Sequence, residues 1–214
     1  MIYISNNAAW LCGVTANAKR AFEKGSGMRI TKEKRQANHD RIVAIASGLF
    51  RERGFDGVGV ADLMQAAGLT HGGFYNHFAS KEALIAEAAA KGFVETSERY
   101  ADYSVGDVID AYISRQHRDA RGQGCPAAAL SGEAARLPED TRAVFGDGIA
   151  GLFAALETGL AGRADARAQA ISLLAQAVGA VVLSRACPDG SALADEILNT
   201  CQADCHASLE GPSQ

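Results

Sequence analysis

Proline is scarce in this chain of 214 residues, four in all, and there is a single tryptophan. So few prolines leave long stretches free to wind as helices, and abundant alanine favours them. No Asn-Gly or Asp-Gly pair joins two alternating apolar runs, so the usual hairpin signal is missing. No uninterrupted run of 18 or more apolar residues occurs, and no membrane-crossing helix is expected. No basic stretch precedes Ala8-Ala9-Trp10-Leu11-Cys12, which argues against a signal peptide. The five cysteines (Cys12, Cys125, Cys187, Cys201 and Cys205) are odd in number and irregular in spacing, as in a reduced cytoplasmic protein without a disulfide framework. There is no Gly-x-Ser-x-Gly, no phosphate-binding glycine loop after a strand and no His-Glu-x-x-His, so an enzyme has little support.

What is present is a hydrophobic fraction of 48%, enough for a substantial core, and a strongly uneven charge. Residues 19–81 carry eleven Lys and Arg against six Asp and Glu, whereas residues 82–214 carry ten against nineteen. One end is suited to a polyanion and the other is not. Residues 1–27 mix Asn, Ala and Gly without a period and read as a flexible N-terminal extension or a mis-assigned start, with Met28 the natural beginning. From there the expected organisation is a first domain over 28–83, at the basic end, and a second over 84–214, at the acidic end.

The periods predict an all-α chain. A first helix at about 38–53 carries the stripe Ile42, Ile45, Ala46, Leu49 and Phe50. It ends at Gly54, suited to a left-handed cap, with Phe55 placed to pack on Phe50. A short helix at 60–67 starts from Gly59, with Asp62 as a box partner. Thr70 is expected to cap a third helix running to Phe78, and Ser80 a fourth beginning at Lys81 with Leu84, Ile85 and Ala88 buried. Further helices are expected at 105–121, 126–136, 138–160, 164–185 and 191–209, with Pro126 and Pro138 each at a first helical position. The tail 211–214 reads as frayed.

The second and third helices have the layout of a helix-turn-helix. The string from Gly54 to Leu84 is more specific. Gly54-Phe55, Val60, Asp62-Leu63, Ala67-Gly68-Leu69, Thr70, Gly72, Phe74-Tyr75, Phe78 and Ser80-Lys81-Glu82-Ala83-Leu84 closely resemble the DNA-binding signature of the TetR family of bacterial transcriptional regulators. The resemblance covers residues 37–97. Gly59 and Gly73 depart from it, standing where Thr or Ser is common. It implies an all-helical homodimer: a three-helix DNA-binding head and a helical-bundle domain that binds a small molecule and pairs through its last two helices. It also implies a repressor of nearby genes that leaves operator DNA when the effector binds. An activator of the same family and a helical adaptor without specific DNA binding are the alternatives.

The candidate DNA-binding residues are Thr70, His71, Gly72, Gly73, Tyr75, Asn76, His77 and Lys81. Thr70 would offer its hydroxyl and the helix N-terminus to phosphate. Tyr75, His77 and Lys81 would grip phosphate oxygens, which fixes register without reading sequence. His71, and less directly Asn76, would meet base edges. Gly72 and Gly73 would let the backbone approach, while Phe74 and Phe78 face the head's core. The plainer alternatives are surface histidines, a locally bonded tyrosine and a solvated lysine. Arg29, Lys32, Lys34 and Arg35, ahead of the first helix, form either a basic arm or a solvated run.

In the second half, Phe93, Tyr100, Tyr103, Tyr112, His117, Cys125, Phe145, Phe153 and Leu156 are candidate liners of an effector pocket, although aromatics at helical spacing are also plain core. Cys125 precedes Pro126 at a helix N-cap. There the helix N-terminus and nearby Arg118 and Arg121 would lower its pKa. A Gly-Cys entering a mid-domain helix resembles the subgroup of TetR-like regulators that senses electrophiles or oxidants through a thiol. A small buried thiol is the alternative. Cys201 and Cys205, followed by His206, lack a fourth metal partner, so no metal and no cofactor are expected. With Gly179, Ala180 and Ser184 they fit a helix–helix dimer seam better. The expected partners are double-stranded operator DNA, a second copy of the chain and an unidentified small-molecule effector, with no membrane.

Overall fold

A computed structural model of the chain describes residues 31–211, all helix, turn and loop without a strand among them. The expected extension at 1–27, Cys12, Arg29 and residues 212–214 of the tail lie outside the described residues. The chain divides into two compact units at residue 36. Of the first, residues 31–36 are described; the Thr31 hydroxyl accepts the Lys34 N–H at 3.2 Å. The second unit, 37–214, holds every other element.

The helices are α1 (Lys32–Arg53), α2 (Val60–Ala66), a 3₁₀ segment (His71–Asn76), α3 (Lys81–Arg99), α4 (Val105–Tyr112), α5 (Arg115–Asp119), α6 (Pro126–Ala134), α7 (Glu139–Gly159), α8 (Ala166–Ala186) and α9 (Ala192–Glu210). α1 starts six residues earlier than the apolar stripe predicts, so Lys32, Lys34 and Arg35 form its opening turns and do not precede it. The stripe dictates burial thereafter: Ile42, Ala46 and Phe50 are fully buried, and Val43 joins them. Its end follows the punctuation. Gly54 has φ +75°, where a side chain would be strained, and its N–H closes on the Phe50 carbonyl at 2.8 Å. Phe55 then meets Phe50 edge to face at 5.5 Å. Ser80 caps α3 through its hydroxyl and the Ala83 N–H at 3.2 Å.

Two further expectations fail. The helix expected over 105–121 breaks at Ile113, because the Ser114 hydroxyl takes the His117 N–H and starts α5 as a separate turn. Pro138 is the N-cap of α7, one position earlier than expected.

The head core gathers Phe50, Phe55 and Val58 with Leu63 and Met64 of α2, Phe74 and Phe78, and Leu84, Ile85 and Ala88 of α3. In the body, α3 packs along α7, α7 along α8, and α8 along α9. α3 therefore belongs to both assemblies and runs unbroken through the expected boundary at 83/84.

Candidate functional site

The head presents one irregular tip. Between α2 and α3 the chain turns at Gly68, and the Leu69 N–H returns to the Met64 carbonyl at 2.8 Å. The expected α-helix to Phe78 is instead the 3₁₀ segment His71–Asn76. Adjacent glycines weaken α-helix, and six residues suffice for a tighter winding in which each N–H reaches three residues back. The Gly73 N–H accordingly bonds the Thr70 carbonyl at 2.9 Å. Thr70 ends the turn through its backbone alone and makes no side-chain cap, contrary to expectation.

Thr70, His71, Gly72, Tyr75 and Asn76 are exposed together on this tip, with Tyr75 69% exposed and its ring edge-on to Phe74 at 5.3 Å. Within the chain a Cβ on Gly72 would enter open space, and one on Gly73 would make ordinary contact with Met64 at 3.5 Å. The fold itself therefore does not demand glycine at either position. His77 and Lys81 are not free tips. His77 is half-buried, its ring 6.2 Å from both Phe78 and His39. The Lys81 ammonium donates to the Phe55 carbonyl at 2.5 Å and sits 6.0 Å over the Phe50 ring. Both hold the tip to its support.

A cavity of about 320 Å³ opens between α3, α4, α7 and α8. Tyr100, Tyr103, Tyr112 and Leu156 line it, with Thr96, Ser97, Val105, Val108, Leu152 and Leu174. The other candidates lie elsewhere. Phe93 and Phe145 pack edge to face at 5.6 Å, and Phe145 goes on to Phe55 at 6.3 Å, which makes them core. Phe153 is covered by the Arg167 guanidinium at 5.2 Å. His117 and Cys125 lie behind Tyr112, outside the lining.

That concealed pair is tightly defined. The Cys125 N–H donates to His117 Nε2 at 3.0 Å, so Nε2 carries no hydrogen. The proton must then be on Nδ1, which donates to the Tyr112 carbonyl at 2.8 Å. Burial drives the His117 pKa down to about 4 and keeps the ring neutral. Burial also pushes the Cys125 thiol up, against the weaker opposing pull of Tyr112, the Ala127 and Ala128 amides and Thr96. The expected acidic thiol is thus overturned. Arg118, one of its supposed activators, is turned away to the Ser184 and Cys187 carbonyls.

The turn that holds Cys125 is fastened to the head. Arg51 of α1 donates to the Gly124 carbonyl at 2.9 Å, to Glu95 of α3 at 3.0 Å and to its own helix at Ser47. Glu52 takes the Gly122 N–H at 3.0 Å, and Glu133 of α6 takes the Phe55 N–H at 2.7 Å. Gly92 permits the close approach: a Cβ there would sit 2.7 Å from Pro126 and 3.1 Å from Ser47. Sequence reading missed Arg51, Glu95 and Thr96. Thr96 could have been found as a polar residue on the apolar stripe of α3; Arg51 and Glu95 leave no such mark.

Of the expected dimer seam, Ala180, Ser184 and Cys205 face inward. Ala180 and Ser184 of α8 are buried, Ser184 donating to the Ala194 carbonyl of α9 at 3.1 Å, and Gly179 is half-buried. Cys205 is buried against Gln176 and Cys201 half-buried, while His206 turns to Asp110 at 2.7 Å. Ser184 and Cys205 join α8 to α9 within one chain, whereas a Cβ on Gly179 would enter open space. The outward apolar stripe of α8 is Ile171, Ala175, Val178 and Val182, with Leu183 58% exposed beside it. Among the described residues α8 alone is long and apolar enough, by length and composition, to cross a membrane.

A packed three-helix head, an exposed recognition tip and a helical body with its own cavity define a helix-turn-helix transcriptional regulator. Residues 42–88 match the family model described as bacterial regulatory proteins, tetR family. Over those residues the chain carries the DNA-binding head of that family. It is 27% identical over 143 residues to the HTH-type transcriptional repressor NemR of Escherichia coli K12, covering 61% of this chain and 71% of NemR. The crystal structure of the reduced form of E. coli NemR superposes with a TM-score of 0.65 at 23% identity, covering 80% of this chain and 96% of that one. A TetR transcriptional regulator from Chloroflexus aurantiacus gives 0.64 at 27% identity, covering 84% and 97%.

Proposed function

We propose that the chain is a cytoplasmic, non-enzymatic repressor that binds operator DNA as a homodimer and releases it when a small molecule occupies the body cavity. The observation that carries this reading is the Arg51 tie between the head and the turn behind the cavity. In this reading Thr70 and Tyr75 bind phosphate, His71 and Asn76 face base edges, and His77 and Lys81 hold the tip in place. The outward stripe of α8 is the dimer face, which accounts for its apolar surface without a bilayer.

Binding to the DNA upstream of its own gene should weaken linearly as log affinity against log salt, with a slope of several phosphates. His71→Ala should relax sequence preference by about 1–3 kcal/mol, and Tyr75→Phe should weaken all sequences alike. Absence of specific binding at any salt concentration ends the repressor reading.

A second reading, release by an electrophile or oxidant at Cys125, is favoured by the position of Cys125 beside Gly124 at the entry to α6 and by the likeness to NemR, whose crystal structure is of a reduced form. Burial opposes it. Iodoacetamide at neutral pH should label the half-exposed Cys187 well before Cys125, and labelling of Cys125 should rise only above the usual thiol range. Fast labelling of Cys125 at neutral pH, with release lost in Cys125→Ser, would establish the thiol reading instead.

A further inference from the structure

The body cavity has an apolar depth and an uncharged mouth. Asp, Glu, Lys and Arg make up 21% of the chain, yet none of them lines the cavity, and no His does. Arg99, whose guanidinium meets the Tyr100 hydroxyl, stays outside the lining and donates to the Gln123 carbonyl at 2.7 Å. A charged ligand would therefore leave water without gaining a counter-charge. Val105, Leu152, Leu156 and Leu174 form the depth and are buried. The threonines do not make it polar, because each spends its hydroxyl on a carbonyl of its own helix. Thr96 donates to Gly92 at 2.8 Å and Thr158 to Ala154 at 2.9 Å. The exposed part of the lining is Ser97, Ala101, Tyr103, Ala155, Thr158 and Gly159. There the Ser97 and Tyr103 hydroxyls have no hydrogen-bond partner among the described residues, so each can donate or accept.

We propose that the cavity selects its ligand by charge: it takes a small neutral molecule, apolar part inward and one polar group at the mouth beside Ser97 and Tyr103, and rejects ions of either sign. At about 320 Å³ it stands at the small end of ligand pockets, which favours a compact molecule over a long chain. The Tyr100 and Tyr103 rings, 5.6 Å apart and edge to face, give a flat ring system an aromatic wall. Tyr103 also lines a second, open recess with Asp102, Asp107 and Asp110. Those carboxylates would favour a cation, so the charge of a bound molecule tells the two recesses apart. Calling the neutral molecule the effector rests on the repressor reading above; the binding chemistry does not.

The test is direct binding to the full chain without DNA, by calorimetry at pH 7, of three probes of one shape: 2-naphthalenemethanol, 2-naphthoate and protonated 2-naphthalenemethylamine. The alcohol should bind at least about tenfold tighter than either ion. Ala155→Trp, an exposed position at the mouth, should weaken the alcohol at least about tenfold by filling the entrance. Four results overturn the proposal. Naphthoate binding as tightly as the alcohol would show that charge is not excluded. The ammonium binding as tightly would move the site to the acidic recess. Unchanged alcohol affinity in Ala155→Trp would place the alcohol elsewhere, and no binding of any probe would leave the cavity without this chemistry. The comparison within the wild-type protein stands even if the variant folds poorly. Operator binding, measured on the same preparation, fails or succeeds separately.

Discussion

Lowering the pH from 6.5 to 4 is expected to cost the fold about 3 kcal/mol through His117 alone. The folded chain keeps this ring neutral because Nε2 must accept the Cys125 N–H and the ring is out of water. Its pKa is therefore depressed, to about 4, below the ordinary histidine value of 6.5. In the window between the two values the unfolded chain takes up a proton that the folded chain refuses, and stability drops as pH falls. The contribution is intact above pH 6.5 and gone near pH 4. Urea unfolding of the wild type and His117→Gln at pH 7 and 4.5 isolates it, since carboxylates titrate alike in both. A wild-type loss exceeding that of the variant by about 2–3 kcal/mol is expected; equal losses would show that His117 is not held neutral.

The second large effect belongs to Arg51, whose side chain is only 5% exposed. Arg51→Met should destabilise by about 3 kcal/mol, because it strips Glu95 and the Gly124 carbonyl of a buried charged partner at once. Glu95 keeps Lys91 at 3.1 Å and is itself one-third exposed, which holds the cost to the lower end for a broken buried pair. A fall in Tm of roughly 6–12 °C corresponds to that loss in a chain of this size. The repressor reading adds a second readout: the variant should bind operator yet need far more effector for release. Undiminished stability together with normal release would remove Arg51 from the coupling.

Much of the head was legible because its signals are local. Gly54, Ser80 and the stripe from Ile42 to Phe50 each act within four residues, and each ends or orients an element as its chemistry requires. The 3₁₀ segment shows where local signals run short. Gly72-Gly73 announced weak α-helix without saying what would replace it. The break at Ile113 carried no glycine or proline, only a serine whose capping role depends on which backbone amide it meets. The cavity was half legible: three of the expected tyrosines line it, whereas Phe93 and Phe145 went to the core. Aromatic spacing along one helix cannot say which neighbour it will face. For Cys125 the visible features, a helix start and nearby arginines, argued for acidity. Burial outweighed them, and burial is a property of the packed chain. On α8 both faces are apolar, so periodicity could not tell the seam inside the subunit from the surface left outside.

On the repressor reading, the shape of the tip also limits how much information the protein can extract from DNA. Six residues wound at about 2.0 Å each span roughly 12 Å, or three to four base pairs at about 3.4 Å per step. Two such tips in a dimer specify about seven base pairs, a pattern met by chance roughly once in 16,000 positions, against a million or more competing sites in a genome. Most of the discrimination must then come from the spacing between half-sites and from how readily the intervening DNA deforms. Single-base changes beneath the tip should matter less to such a regulator than insertions between its half-sites.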